Sequence, residues 1–383
     1  MNLFIKSMAG IYIHIPFCKQ RCTYCDFYTQ VAPQMIPDLV NALCREMEIR
    51  SDYNQHAIVD TIYFGGGTPS LLSAAQFDLI FSALFSYFSV APDAEITFEA
   101  NPDDLSPEFF SEIRKLPFNR ISMGIQSFDN NDLKAINRRH SGEQAVDAVR
   151  YAREAGFKNI SIDLIYGLPG QSIEAWEKQL DKGLSLQPEH ISVYGLTYEK
   201  GTKLWKQREK GLVEVVDEDR MIEMYEMLID KTAQAGFEAY EISNFAKPGH
   251  RSRHNSAYWK LTPYTGLGPS AHSFDGISRQ WNVSSTRKYI DAMQEGNLFF
   301  EKEELNDTDK FNDFIMISLR TREGLNFETI KQVFDSKYTE HLKSFAQKYI
   351  DSGHIISENK RLFLSLKGIH ISDAIISDLM HIA

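Results

Sequence analysis

Residues 10–30 read GIYIHIPFCKQRCTYCDFYTQ, and the interpretation of the whole chain starts from this stretch. It opens with a strand-like run at residues 11–15, and one short loop then contains Cys18, Cys22 and Cys25 in the spacing Cx3CxxC. Three of the four cysteines of the chain lie here. Thiolates on one loop can converge on one metal centre, and soft sulfur ligands favour zinc, Cu(I) or an iron–sulfur cluster. The stretch therefore predicts a metal centre just beyond the first strand.

The trio of cysteines has no fourth cysteine close by in the sequence, and this separates the candidate centres. A structural zinc site usually has four protein ligands, so zinc would have to recruit His14 or a more distant residue. An iron–sulfur cube on three cysteines would instead leave one iron open. Disulfide pairing is a third interpretation, although three clustered cysteines in a chain of 383 residues do not look like a secreted disulfide framework.

The residues around the motif resemble the cluster loop of the radical S-adenosylmethionine (SAM) superfamily. The resemblance lies in the segment YIHIPF at residues 12–17, the Cx3CxxC spacing, and an aromatic residue after the motif. It implies that Cys18, Cys22 and Cys25 hold a [4Fe–4S] cluster. It also implies that the open iron takes the amino and carboxylate groups of SAM.

The composition argues against several other classes of protein. A net charge of −11 and a pI of about 5.5 do not suit a broad nucleic-acid-binding surface. A length of 383 residues with 43% hydrophobic residues allows two or three domains with a sizeable core. Residues 1–10 show no apolar signal-peptide core, and no apolar run approaches the roughly 18 residues that span a bilayer. We therefore expect a soluble, cytoplasmic protein without a nucleic-acid partner.

Strand-like and helical patterns alternate through the first two-thirds of the chain. Six strand-like runs are predicted, at residues 11–15, 59–64, 95–99, 121–126, 160–165 and 190–196. Helical periodicity between and after them is clearest at residues 35–53, 173–186 and 217–235. Such alternation is typical of parallel βαβ units, so the residues predict an α/β fold. The resemblance to the radical SAM superfamily implies that these units form a partial (β/α)6 barrel.

Three regions follow from these patterns. Residues 1–236 form the predicted barrel, and residues 237–304 form a less regular connecting region with aromatic and glycine-rich loops. Residues 305–383 show amphipathic helices and a hairpin that turns near Asn359 and Lys360, which predicts a mainly helical, winged-helix-like domain. Winged helices often bind DNA, but the last part of the chain holds more acidic than basic residues. An accessory packing or lid role is therefore the expectation for this domain.

Glycine and polar residues follow the predicted strands, where a parallel barrel collects its active site. Residues 65–69, GGGTP, come after the second strand, and glycine there lets the backbone approach a ligand closely. No Gly-Lys-Ser/Thr follows, so this segment is not a P-loop. The other candidates are Glu99, Gln126, Arg138 and Asp163. Each of them alone is more often a structural polar residue at a barrel rim.

Together these residues resemble the SAM-binding set of the oxygen-independent coproporphyrinogen dehydrogenase group within the superfamily. The resemblance implies that SAM is bound by Tyr12, Tyr24, Gly66, Gly67, Thr68, Glu99, Gln126, Arg138 and Asp163. The glycine segment is expected at the amino end of the methionine of SAM, and the guanidinium of Arg138 could pair with its carboxylate. Thr197, after the sixth strand, is a weaker member of the set.

A second segment, RHNSAYW at residues 253–259, contains a histidine with aromatic neighbours. His254 could be a haem axial ligand, because neutral imidazole binds iron and flat apolar rings suit a porphyrin face. From the residues alone, a structural histidine is the commoner interpretation. The HNxxYW pattern, however, resembles the segment that marks the haem-chaperone branch of the same group, which implies that His254 helps to bind haem.

The run GLGPSA at residues 266–271 imitates a dinucleotide-binding fingerprint. It lacks a convincing preceding strand and a βαβ context, so we do not expect a dinucleotide there. The run resembles a glycine-rich loop of the coproporphyrinogen dehydrogenase group.

Two departures favour the haem-chaperone branch over the dehydrogenase. Asp26 and Phe27 follow Cys25, where the dehydrogenase pattern has another cysteine at the second position, and the chain begins only a few residues before the cluster strand. The expected protein binds a [4Fe–4S] cluster, SAM and haem, and transfers haem to acceptor haemoproteins, membrane-associated ones included. Coproporphyrinogen III dehydrogenase is the alternative, and a radical SAM enzyme with another substrate is a third hypothesis. Neither the oligomeric state nor productive cleavage of SAM follows from the sequence.

Overall fold

A computed structural model of the chain describes residues 8–381. The expectation that the first residues hold no signal peptide therefore falls, for residues 1–7, outside the described residues. The strands in this range are β1 (Met8–Ile15), β2 (Ile58–Gly66), β3 (Val90–Ala100), β4 (Arg120–Gln126), β5 (Ile160–Tyr166), β6 (His190–Gly195), β7 (Glu238–Ala239), β8 (Asn244–Ala246), β9 (Tyr264–Leu267), β10 (His272–Phe274), β11 (Ser278–Asn282), β12 (Phe300–Glu304), β13 (Leu325–Asn326), β14 (Ile355–Glu358) and β15 (Arg361–Leu364). The α-helices are α1 (Ile36–Ile49), α2 (Ala74–Tyr87), α3 (Pro107–Ile113), α4 (Asn130–Ala135), α5 (Gly142–Glu154), α6 (Ile173–Ser185), α7 (Lys203–Glu209), α8 (Glu218–Gln234), α9 (Arg253–Trp259), α10 (Thr286–Gln294), α11 (Asp307–Arg320), α12 (Phe327–Val333), α13 (Ser336–Asp351), α14 (Leu366–Ile369) and α15 (Ser372–Leu379).

One large sheet carries most of the strands. Within it, β1 to β6 lie side by side in chain order, and each neighbouring pair is parallel. Strands β9 to β12 extend the sheet beyond β1, and β8 and β7 extend it beyond β6. Helices occupy the connections between the parallel strands, as βαβ units require. The predicted α/β fold with six parallel strands is confirmed.

The outer face of the parallel strands packs against these helices and forms the main hydrophobic core. Phe64 of β2 contacts Phe77 and Phe81 of α2, with ring centroids 5.5 and 5.4 Å apart. Phe118 completes the cluster against Phe98 of β3, at 4.6 Å. Aromatic pairs at these separations add to the stabilisation that comes from burying their apolar area.

The inner face of the same strands is polar. In β4, apolar Ile121, Met123 and Ile125 are fully buried. Successive side chains of a strand point to opposite faces, so the residues between them share the inner face. Those residues are Arg120, Ser122, Gly124 and Gln126. A parallel strand buried on both faces is usually apolar throughout, so this alternation indicates that the barrel is hollow.

Residues 237–304 have more regular structure than their sequence pattern predicts. They form β7 to β12 at the two edges of the large sheet, together with α9 and α10. These strands are only two to five residues long, so hydrophobic alternation has too few residues in which to show. The boundaries proposed at 236/237 and 304/305 stay predictions.

The last part of the chain is a mainly helical unit with its own core. Strands β13, β15 and β14 form a small antiparallel sheet. Phe311, Leu342 and Leu362 are fully buried between this sheet and the helices. The hairpin turns at Asn359 and Lys360, whose φ angles of 50° and 63° fit a type I′ turn. The predicted winged-helix-like domain with its hairpin is confirmed.

Helix ends lie near their predicted positions. Gly156 and Gly236 follow α5 and α8 with φ angles of 97° and 79°, the left-handed conformation that commonly ends a helix. The first helix is shorter than predicted and stops at Ile49, because a series of turns begins at Arg50 and continues to positive φ angles at Gln55 and His56. Each helix of residues 8–381 is too short or too polar to cross a membrane.

Candidate functional site

The polar inner face of the barrel and the loops at the carboxyl ends of its strands enclose a cavity of about 610 Å³. This volume is in the range of small-molecule and cofactor sites. The predicted site residues that line it are Tyr12, Cys18, Cys22, Tyr24, Cys25, Gly66, Gly67, Thr68, Glu99, Gln126, Arg138, Asp163, Thr197 and His254. The structure therefore brings the whole predicted set to one cavity, while the role of each residue as a ligand stays a prediction.

Backbone hydrogen bonds attach the cysteine loop to the rim of the cavity. The amide of Cys18 donates to the carbonyl of Gln30 at 3.0 Å, which closes the loop on itself. The amide of Thr23 donates to the carbonyl of Ile136 at 3.1 Å, just beyond α4. The loop is therefore tied to the barrel independently of any metal.

Two polar groups donate hydrogen bonds to the cysteine sulfurs, whereas burial favours the protonated thiols. All the cysteines are free. The hydroxyl of Thr68 donates to Cys18 Sγ at 3.5 Å, and Arg138 Nη1 donates to Cys22 Sγ at 3.6 Å. Burial raises the pKa of Cys18 and raises the pKa of Cys25 to about 11, so these thiols keep their protons at neutral pH until a metal displaces them.

The zinc interpretation needed His14 or a more distant residue as a fourth ligand, and the structure engages His14 elsewhere. His14 Nε2 lies 3.0 Å from the carbonyl oxygen of Tyr28, and Nδ1 lies 3.1 Å from the hydroxyl of Tyr12. Across residues 8–381, no three His, Cys, Asp or Glu side chains lie close enough together to hold one metal ion. Three thiolates on one zinc ion would lie about 4 Å apart. An iron–sulfur cube takes one thiolate per iron, so the cysteine loop fits a cluster better than a single ion.

The glycine segment after β2 packs directly on the cysteine loop. The amide of Gly67 donates to the carbonyl of Ile15 at 2.8 Å, and a Cβ on Gly67 would lie 2.6 Å from the carbonyl oxygen of Phe17. Gly66 has a φ of 101°, and its Cβ would lie 2.4 Å from the ring of His14. Side chains are therefore excluded at both positions, and the peptide backbone itself faces the cavity.

Two carboxylates in the cavity change their charge near neutral pH. Glu99, in β3, accepts hydrogen bonds from the hydroxyl of Tyr63 at 2.7 Å and the amide of Gly66 at 3.2 Å. Burial raises the pKa of Glu99 to about 7; the Tyr63 hydrogen bond opposes the rise, and the charge of Asp163 adds to it. Burial also raises the pKa of Asp163 to about 6, and a hydrogen bond from Ser192 opposes this rise. A cationic ligand would favour the ionised form of both groups.

Arg138 joins the cysteine loop to the end of β4. In addition to Cys22, its guanidinium donates to Asn101 Oδ1 at 2.8 Å and to the carbonyl of Gly124. Its Nε is buried and has no partner among the described residues. Gln126, at the end of the same strand, has a φ of 67°, a conformation that directs its backbone out of the strand toward the cavity rim.

His254 is 3% exposed, and both of its ring nitrogens have partners. Nδ1 lies 2.8 Å from Thr61 Oγ1, and Nε2 lies 2.9 Å from the hydroxyl of Tyr258. The ring also stacks on Tyr63, with centroids 5.1 Å apart. Burial lowers the pKa of His254 to about 3, and the charge of Arg120 contributes, so the ring is neutral at neutral pH. An iron bound to either nitrogen would have to displace one hydroxyl.

The structure adds cavity residues that were not predicted from the sequence. They are polar or aromatic residues of the barrel interior: Tyr63, Asn101, Arg120, Ser122, His190, Ser192 and Tyr194. Asn255 and Tyr258 of the HNxxYW segment also line the cavity. A signal for several of them exists in the sequence, because every second residue of β4 and of β6 is polar, aromatic or small. Such alternation in a parallel strand indicates a lined cavity.

The GLGPSA run forms no dinucleotide site. It begins in β9 and continues into β10, which pairs antiparallel with β9 rather than leading into a helix. The amide of Gly268 donates to the carboxylate of Glu46 at 2.8 Å. The run therefore lacks the βαβ context, but it does have a preceding strand, β9, which was not predicted from the sequence.

Comparison with known proteins establishes the class. Residues 12–182 match the model of the radical SAM superfamily, and residues 305–371 match that of the HemN C-terminal domain. The structure resembles that of coproporphyrinogen III oxidase (HemN) from Escherichia coli, a radical SAM enzyme, with a TM-score of 0.84 and 25% identity. That match covers 98% of this chain and 90% of the other. Fold and site together define a radical SAM protein, which implies a [4Fe–4S] cluster and SAM as cofactors.

Proteins related in sequence identify the family within this superfamily. The heme chaperone HemW of Mycobacterium tuberculosis (strain H37Rv) is 33% identical and covers 97% of this chain and 94% of its own length. HemW of Bacillus subtilis is 34% identical, with 94% of this chain and 96% of the relative covered. HemW of Escherichia coli is 36% identical, with 82% and 83% covered. The chain belongs to the HemW family.

Proposed function

We propose that this protein is a cytoplasmic haem chaperone that binds haem and transfers it to acceptor haemoproteins, membrane-associated ones included. The observation that carries the proposal is the convergence of Cys18, Cys22, Cys25, the SAM-binding candidates and His254 on one cavity. The relationship to heme chaperones along nearly the whole chain supports it.

In this proposal the cysteines hold the cluster and the remaining residues prepare the cavity for SAM. The cluster supplies an open iron for the amino and carboxylate groups of SAM. Thr68 and Arg138 stabilise negative charge on the cysteine sulfurs. Glu99 and Asp163, when ionised, offset the positive charge of the sulfonium, and Tyr12, Tyr24, Gly66, Gly67 and Gln126 complete the contact surface.

His254 is the proposed haem contact. Its neutral ring can bind iron, but Nε2 is already hydrogen bonded to Tyr258. Binding through Nε2 therefore requires the Tyr258 hydroxyl to move away. Haem affinity should then reflect competition between this hydroxyl and the iron.

The alternative is coproporphyrinogen III dehydrogenase, which decarboxylates propionate side chains to vinyl groups. The structural match to HemN favours it, but identity to that enzyme is 25%, below that to the HemW relatives. One anaerobic, cluster-loaded preparation separates the two. It is titrated with haem, and it is incubated with coproporphyrinogen III, SAM and a reductant. We expect haem binding without protoporphyrinogen IX, whereas turnover of the porphyrinogen would overturn the chaperone proposal.

Variants of the HNxxYW segment test the haem contact. His254→Ala should weaken haem binding and change the Soret spectrum, while His341→Ala, in α13 of the C-terminal unit, is the matched control and should do neither. Tyr258→Phe removes the competing hydroxyl and should tighten binding. If His254→Ala binds haem with unchanged affinity and spectrum, His254 is a structural residue.

A further inference from the structure

One cationic side chain of the barrel interior has no partner within residues 8–381. Arg120, the first residue of β4, is 2% exposed and lines the cavity. None of the hydrogen bonds or ion pairs among the described residues involves its guanidinium, and its Nε is buried and unpartnered. A buried guanidinium without a counter-ion is strongly destabilising, so its presence calls for an explanation.

No acidic residue among residues 8–381 lies within ion-pair distance of Arg120, although its charge reaches Glu99 and Asp163 and favours their ionised forms. Glu99 accepts its hydrogen bonds from Tyr63 and Gly66. Glu95 accepts from the backbone amides that begin α9. Asp163 accepts from the hydroxyl of Ser122 at 3.2 Å. The donors of Arg120 are therefore left to whatever fills the cavity.

The position of Arg120 distinguishes it from Arg138. Arg138 contacts the cysteine loop, at the carboxyl ends of the strands. Arg120 begins β4, and Gln126 ends it, so the two ends of the strand are about 20 Å apart. Arg120 therefore faces the part of the cavity that is farthest from the cysteines, beside His190 and His254.

We propose that Arg120 is an anion-recognition residue that binds a carboxylate of the ligand in the inner part of the cavity, namely a propionate of haem. This inference rests on the proposed function, which supplies two carboxylate-bearing ligands. The carboxylate of SAM belongs at the open iron by the cysteine loop, so the propionate is the group left for Arg120. A guanidinium binds a carboxylate through two parallel hydrogen bonds.

The charges around Arg120 favour a carboxylate over a phosphate. Glu99 and Asp163 line the same cavity and become negative near neutral pH. Their repulsion acts on any anion and grows with its charge, so it disfavours a doubly charged phosphate more than a singly charged carboxylate.

The test compares haem with haem dimethyl ester, in which both propionates are uncharged. We expect the wild-type protein to bind haem about tenfold or more tightly than the ester. Arg120→Gln should bind the two compounds nearly equally, and Arg120→Lys should recover part of the preference. Arg150→Gln, on the exposed face of α5, removes an equal charge outside the cavity and should keep the full preference. Because the readout is a ratio within one protein, a general loss of stability does not imitate the result.

A second titration identifies the source of the carboxylate. Cluster-loaded wild type and Arg120→Lys are titrated with SAM and with decarboxylated SAM. A preference for SAM that changes with Arg120 would assign the residue to SAM and overturn the propionate proposal. The propionate proposal would also be overturned if the wild-type protein showed no preference for haem over the ester, or if Arg120→Gln kept the full wild-type preference. A wild type that binds neither haem nor its ester would instead overturn the proposed function, and this inference with it.

Discussion

Glu99 shows how the barrel sets the charge of a single side chain. Its carboxylate accepts hydrogen bonds from Tyr63 and Gly66, yet burial raises its pKa from 4.5 to about 7. A raised pKa favours the neutral form of an acid, so Glu99 is protonated below neutral pH and ionised above it. Because SAM is cationic, its binding should depend on which form is present.

We expect the affinity of the cluster-loaded protein for SAM to rise about tenfold between pH 6 and pH 8. The ionised fraction of a carboxyl group with a pKa of about 7 rises by about that factor. Glu99→Gln should flatten the profile, and Glu108→Gln, on the exposed surface of α3, should leave it as in wild type. Anaerobic calorimetry at three pH values measures it. Changes in the ionisation of SAM itself are the same for the wild type and both variants. An unchanged pH profile in Glu99→Gln would therefore refute the role of this carboxylate.

The junction between β1 and β2 is the element on which the cluster site is built. The two strands pair in parallel up to Ile15 and Gly66, and Gly67 then passes beneath the cysteine loop. A methyl group on Gly67 would lie 2.6 and 2.7 Å from the carbonyl oxygens of Phe17 and Ile15. Backbone atoms cannot rotate away as a side chain can, so the closeness of this packing depends on glycine.

Gly67→Ala should therefore destabilise the apo protein by about 2 kcal/mol or more and lower the iron content after reconstitution. The matched control is Gly183→Ala in α6, where the added methyl meets side chains alone: the terminal carbons of Leu164 and Ile162, at 3.1 and 3.3 Å, and a ring carbon of Phe128 at 3.7 Å. These side chains can shift, and alanine favours the helix, so the control should change stability by less than about 1 kcal/mol. Urea unfolding and iron analysis provide the two measurements. Equal losses in both variants would contradict the argument.

Across the whole molecule, a buried acid connects the first helix to the far edge of the sheet. Glu46 of α1 is fully buried, and its carboxylate accepts three hydrogen bonds and forms an ion pair with Arg50, whose Nε lies 2.9 Å away. The hydrogen-bond donors are Asn282 Nδ2 at 2.7 Å, the amide of Gly268 at 2.8 Å and the hydroxyl of Tyr289 at 2.6 Å. All three donors belong to residues 237–304, so this network holds the late strands against the early helix.

Glu46→Gln should lower the free energy of unfolding by about 3 kcal/mol, because it leaves the buried guanidinium of Arg50 without its counter-ion. Glu48→Gln, two residues later on the same helix, removes an exposed ion pair with Arg45 and should cost less than about 1 kcal/mol. Urea unfolding of the two variants measures the difference. If Glu46→Gln costs no more than Glu48→Gln, the network is not what joins these regions.

Sequence patterns predicted the strands and helices that are long enough to show their hydrophobic period. Strands β1 to β6 and the helices between them span enough residues for alternation or helical spacing to show. The spacing of the cysteines and the glycine segment also predicted the cluster site, because each motif lies within one short stretch of the sequence. Strands β7 to β12 were not predicted because each has only two to five residues, too few to show an alternation.

By itself, the sequence determined the class of fold and the candidate ligands, since spacing, periodicity and turn preference depend on neighbours along the chain. Only the tertiary structure decided which side chains meet. It showed that Thr61 and Tyr258 occupy both nitrogens of His254 and that Glu46 receives donors more than two hundred residues away. It also showed that the guanidinium of Arg120 is buried with no hydrogen-bond or ion-pair partner among the described residues 8–381. Burial and pairing are properties of the folded chain, because they depend on residues that come together only when the barrel closes.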